Sequence, residues 1–95
     1  SQPEVMGAAV DQARRVLREA GPIAAGIRIG VYANAFPPVD AAVAEANAEL
    51  SDIRTDLTPA AYGAWARDWT ARSASIIGGC CGIGPEHIAA LRATL

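Results

Sequence analysis

Along the first twenty residues, Met6, Val10, Ala13, Leu17 and Ala20 recur at alternating steps of four and three, while Asp11, Arg14, Arg15 and Arg18 fall away from that stripe. This spacing predicts a helix from Pro3 to Ala20 with one buried face. Ser1 and Glu4 stand at capping-box spacing, and Gly21-Pro22 supplies a stop. The pattern then changes period. In "GIRIGVYANAF", Ile27, Ile29 and Val31 alternate with Arg28, Gly30 and Tyr32, which predicts a strand over Ile27 to Ala33. Pro37-Pro38 ends it and opens a long connection, in which the alanine-rich run from Asp40 to Leu50 reads as a short helix.

Thr58 has the features of an N-cap, with Pro59 at the first helical position and Leu57 placed to staple against Tyr62. The helix it opens runs to about Arg72 and buries Tyr62, Trp65, Ala66 and Trp69. Ser75 to Gly78 is a short β-type run. Gly84-Pro85 begins a last helix whose apolar residues are Ile88, Leu91 and Leu95. Strands separated by helices predict parallel pairing, because a tight turn cannot reach a parallel neighbour. Two parallel strands leave both edges of their sheet open, so the chain reads as one piece of a larger α/β fold.

Ninety-five residues make one small domain, and an apolar content that leans on alanine promises a thin core. The formal charge is -2, and all eight basic residues are arginines scattered along the chain. Nucleic acid is therefore excluded as a partner, since phosphate binding needs a concentrated positive face. No run approaches a membrane span and no signal-peptide pattern opens the chain, so the expected compartment is the cytoplasm.

Both cysteines fall in "SIIGGCCGIGP", at positions 80 and 81, after the second strand. In parallel sheets the functional face lies at the C-terminal strand ends. Adjacent residues of a regular strand point to opposite faces, but glycines at 78, 79 and 82 would let both thiols turn toward one point, as a shared metal requires. Three readings stand side by side: a metal-ligand pair, two small buried residues in a glycine-rich turn, or a vicinal redox pair that lacks the usual two-residue spacer.

The stretch "LTPAAYGAWARDWTARSASIIGGCCGIGPEHIAAL", Leu57 to Leu91, resembles the C-terminal end of the homocysteine S-methyltransferase family, whose last barrel strand ends in GGCCG followed by Pro, His and Ile. The earlier "GIRIGVYANAF" is similar to that family's preceding strand. The resemblance implies that residues 1–95 form the C-terminal segment of a (β/α)8 TIM barrel, an α/β fold, with about two strands and their helices, incomplete on its own. The segment would comprise the helix after strand six, strand seven, helix seven, strand eight and helix eight. It also implies zinc held by three cysteines, of which two map onto Cys80 and Cys81; the third has no counterpart here and would lie just before Ser1. Ala33 stands where the family commonly has proline, "FPP" at 36 to 38 replaces its small and acidic residues, and Ser73 occupies a place often held by glycine.

The activity implied is transfer of a methyl group to the thiol of homocysteine, giving methionine. The donor would be a sulfonium such as S-methylmethionine or S-adenosylmethionine, a betaine, or a methylated corrinoid. Cys80 and Cys81 would hold the metal, with Asn34 and the backbone at Gly79 facing the substrate. The partners implied are homocysteine, the donor, and the remainder of the barrel or another chain. The competing reading is a non-catalytic fragment or interaction module with structural cysteines. Asn34 reads equally as a loop residue before Pro37. His87, six residues beyond Cys81, invites a metal-ligand assignment, but in the first turn of a helix opened by Pro85 a surface or packing role suffices. Glu86 reads as a first-turn carboxylate, Trp65 and Trp69 as packing, and Arg14, Arg15 and Arg18 as a solvated face.

Overall fold

The computed structural model describes residues 2–35 and 54–95. The short helix expected over 40–50, the "FPP" segment and the capping role of Ser1 lie outside them. Helix α1 spans Pro3–Ala20, with Pro3 in its first turn and Gln2 as its N-cap. Gly21, at a φ of 70°, breaks α1, and a 3-10 turn over Gly21–Ala24 leads toward strand β1, Ile29–Val31. Helix α2 is Pro59–Ala71, capped by the Thr58 side chain, which accepts the Ala61 N–H at 3.2 Å. Strand β2, Ala74–Ile77, and helix α3, Pro85–Thr94, complete the order. Among the described residues no helix is long and apolar enough to cross a membrane.

β1 and β2 pair in parallel, with Ile29 opposite Ala74, Gly30 opposite Ile76 and Val31 opposite Ile77. Two residues of β2 thus match one step of β1. This bulge keeps Ala74 and Ile77 on the same face as Ile29 and Val31. That face meets the helices in one cluster built from Val10, Val31, Ala33, Tyr62, Ala66, Trp69, Ala74 and Leu91. The other face carries Gly30, Tyr32 and Ile76, and there Tyr32 is 65% and Ile76 48% exposed. The sheet is covered on one side and bare on the other.

α1 packs on α2 through charge as well as apolar area. Gly7 has no side chain, and a Cβ there would stand 3.0 Å from Arg72 Nε. The guanidinium lies in that space, bonded to Asp11 and, at 2.9 Å, to Asp68. Asp11, placed by the pattern on the outer face, is therefore an interface residue.

The α2 stripe is as the spacing predicts, with Tyr62, Ala66 and Trp69 fully buried and Trp65 partly so. α1 buries Val10, half-buries Met6, Ala13 and Leu17, and leaves Ala20 exposed. Two expectations need correction. β1 is shorter than Ile27 to Ala33, and Ile27 is exposed, because pairing begins only where β2 offers a partner. α3 turns His87 and Leu91 inward, while Ile88 and Leu95 face outward beside the β2 edge.

Candidate functional site

The site is built where the two strands run out. Beyond the regular ladder the chains stay paired: Gly78 N–H donates to Val31 O at 2.8 Å, Cys80 N–H to Ala33 O at 3.0 Å, and Ala35 N–H to Cys81 O at 2.8 Å. The hydroxyl of Tyr62 enters between them from α2. It accepts the Ala33 N–H at 3.2 Å and donates to Gly78 O at 2.7 Å. Burial pushes the Tyr62 phenol above its ordinary pKa, against the opposing effect of the Ala33 bond, and charge at Cys80 adds to the rise. The group is thus held as a neutral donor.

Cys80 and Cys81 then leave the sheet in a turn closed by Ile83 N–H to Cys80 O at 3.1 Å. Gly82 has a φ of 80°, the left-handed angle that the third position of a type II turn requires. Gly79 is needed for a different reason: a Cβ there would lie 2.2 Å from Ile83 Cγ2, so the Ile83 side chain closes directly over the glycine. Gly78 has open space, its nearest neighbour being Tyr32 Cβ at 3.9 Å.

Both thiols are exposed, and their sulfurs stand 3.9 Å apart. The reading of two buried residues is therefore overturned, because the turn lifts both side chains off the core. Two thiolates on one tetrahedral zinc, with bonds of about 2.3 Å, stand about 3.8 Å apart, so the observed separation matches that of two ligands of one such ion. Among the described residues no third His, Cys, Asp or Glu joins them. His87 is 8% exposed, accepts the Gly84 N–H at Nδ1 and bonds Leu57 O through Nε2, which leaves neither ring nitrogen for a metal.

Asn34 sits at the end of β1, where its Oδ1 accepts from Gln2 Nε2 at 2.9 Å. Gln2 in turn accepts from Arg54 at 2.8 Å. Arg54 also bonds both oxygens of Glu4 and both of Asp56, and its own N–H donates to Ala35 O. Hydrogen bonding to Arg54 holds the Glu4 and Asp56 carboxyls below their ordinary pKa values, and the two carboxylates raise that of Arg54. Sequence reading missed this cluster. Arg54 and Glu4 are 50 positions apart, and no spacing rule connects them.

The chain thus has helices on one face of a parallel strand pair and two exposed thiols at the C-terminal strand ends. A model of the homocysteine S-methyltransferase family matches residues 1–95. No curated protein and no solved structure matches the chain. The chain, matched along its whole length, belongs to the homocysteine S-methyltransferase family.

Proposed function

We propose that this chain supplies the C-terminal wall and two thiolate ligands of a zinc-dependent enzyme that methylates homocysteine to methionine. The observation that carries the proposal is the pair of exposed sulfurs, 3.9 Å apart, at the strand ends of a family member. When bound, zinc would supply Lewis-acid stabilisation of the homocysteine thiolate near neutral pH. Cys80 and Cys81 would be its ligands rather than nucleophiles. The type II turn at Gly82 presents both sulfurs to one side, and Ile83 packs against Gly79 at the base of the turn. Asn34, steadied by Gln2, offers a polar side chain at the same rim for the substrate's polar end, and the backbone at Gly79 borders that space. In the reaction a carbon–sulfur bond forms to the homocysteine sulfur as the donor's bond to the same methyl group breaks.

The rest of a (β/α)8 barrel is the partner this reading requires. Apolar grooves flank both open sides of the sheet, one lined by Ala9, Ala13, Val16, Leu17 and Ile27, the other by Ile77, Ile88 and Leu95. The bare face with Tyr32 and Ile76 would be the barrel interior. Adjacent exposed thiols require a reducing compartment, which for this reading is the cytoplasm.

The test is methionine formation by the full-length protein from homocysteine and, in turn, S-methylmethionine, S-adenosylmethionine, a betaine and a methylated corrinoid. Activity with one donor that is lost in both Cys80→Ser and Cys81→Ser supports the reading; activity that survives both substitutions overturns it.

A further inference from the structure

We propose that Tyr62 is a positioning residue for the thiol pair, acting as a wedge that forces the strand ends to part and turn. In a regular parallel ladder Ala33, which falls opposite Gly79, would accept from Cys80 N–H and donate to Gly78 O. The first bond is present at 3.0 Å. The second is replaced by two: Ala33 N–H to the Tyr62 hydroxyl, and the Tyr62 hydroxyl to Gly78 O.

An oxygen inserted into a ladder rung spreads the strands at that point. The next rung slips by one residue as a result. Regular pairing would send Ala35 N–H to Cys80 O, yet it goes to Cys81 O. The slip frees Cys80 O, which accepts Ile83 N–H and so closes the turn that brings both sulfurs to one side. The wedge is rigid, because the Tyr62 ring is fully buried, edge-on to Trp69 at 5.5 Å and to His87 at 5.9 Å. Without the hydroxyl, Ala33 N–H and Gly78 O would pair directly, since leaving both buried and unbonded is costly. Regular pairing would then propagate to Cys80 and set the two thiols on opposite faces.

This inference rests on the reading of Cys80 and Cys81 as a working pair, but its test does not need zinc. The probe is phenylarsine oxide, which condenses with two thiols that reach it together, forming two arsenic–sulfur bonds and releasing one water with no change of oxidation state. Its affinity is measured on the reduced full chain, on Tyr62→Phe, and on Thr58→Ala, which weakens the start of the same helix without touching the strands. All three carry Ser73→Gly to offset lost stability, and far-UV circular dichroism verifies the fold. Tyr62→Phe is expected to weaken the probe about tenfold, the low end of what outer-shell partners of metal ligands contribute to metal affinity, with Thr58→Ala unchanged. Equal affinity in Tyr62→Phe and the parent, or equal weakening in both variants, overturns the proposal. Tight arsenical binding by a parent that takes up no zinc would remove the zinc reading and leave the wedge standing.

Discussion

Nε2 of His87 lies 2.7 Å from the carbonyl oxygen of Leu57, thirty positions earlier in the chain. Because Nδ1 accepts the Gly84 N–H, the ring proton sits on Nε2 and donates to Leu57, so one neutral imidazole ties the entry of α2 to that of α3. His87→Leu keeps most of the volume and strands two backbone groups. It is expected to lower stability by about 2 kcal/mol, read from the urea midpoint, with zinc content unaltered. Loss of zinc from a folded His87→Leu protein would mean that the ring is a ligand after all.

Ser73, with a φ of 94°, is the one non-glycine residue at positive φ among the described residues. A glycine would adopt this angle without strain, and the position joins the end of α2 to the start of β2, at the far end of that strand from the thiols. Ser73→Gly is expected to stabilise the protein by about 1 kcal/mol, allowing for the weak exposed bond from Arg14. A lower melting temperature would contradict this.

The glycines at 78 and 79 are expected to behave differently. Gly79→Ala drives a methyl group into Ile83 and should cost about 1–3 kcal/mol, with partial recovery in Gly79→Ala/Ile83→Ala. Gly78→Ala meets only ordinary contact and should change the melting temperature little. Equal effects of the two single substitutions would show that Ile83 does not close over position 79.

The Arg54 cluster makes stability depend on acid. Glu4 and Asp56 have folded pKa values below their unfolded ones, so their contribution is complete above the ordinary carboxylate range and is lost as pH falls through the depressed values. Denaturant midpoints should fall on acidification through that window. In Glu4→Gln the fall should be shallower, and in high salt smaller still, because both carboxylates, though not Arg54, are exposed. An unchanged slope in Glu4→Gln would exclude the cluster as its source.

Much of this was legible in the residues. Pro3, Gly21-Pro22, Thr58-Pro59 and Gly84-Pro85 mark helix boundaries by backbone chemistry alone, and the structure places α1, α2 and α3 accordingly. Apolar spacing showed that α3 had a stripe but not which side faced inward, since His87 packs as well as an aliphatic residue once both its nitrogens are bonded. Tyr62 was visible as a core residue by its 3.6-residue period. Its hydroxyl between the strands was not, because it bonds Ala33 and Gly78, 29 and 16 positions away, and periodicity reports faces rather than hydrogen-bond partners. The Cys80-Cys81 pair announced itself by composition, whereas the slipped rung that sets its geometry did not.

The most direct measurement is zinc per chain by elemental analysis of the reduced full-length protein, beside Cys80→Ser, Cys81→Ser and the double variant. The account predicts near-stoichiometric zinc in the parent, a marked reduction in each single variant and none in the double. Zinc that persists in the double variant, or none in a folded parent supplied with zinc, would contradict it.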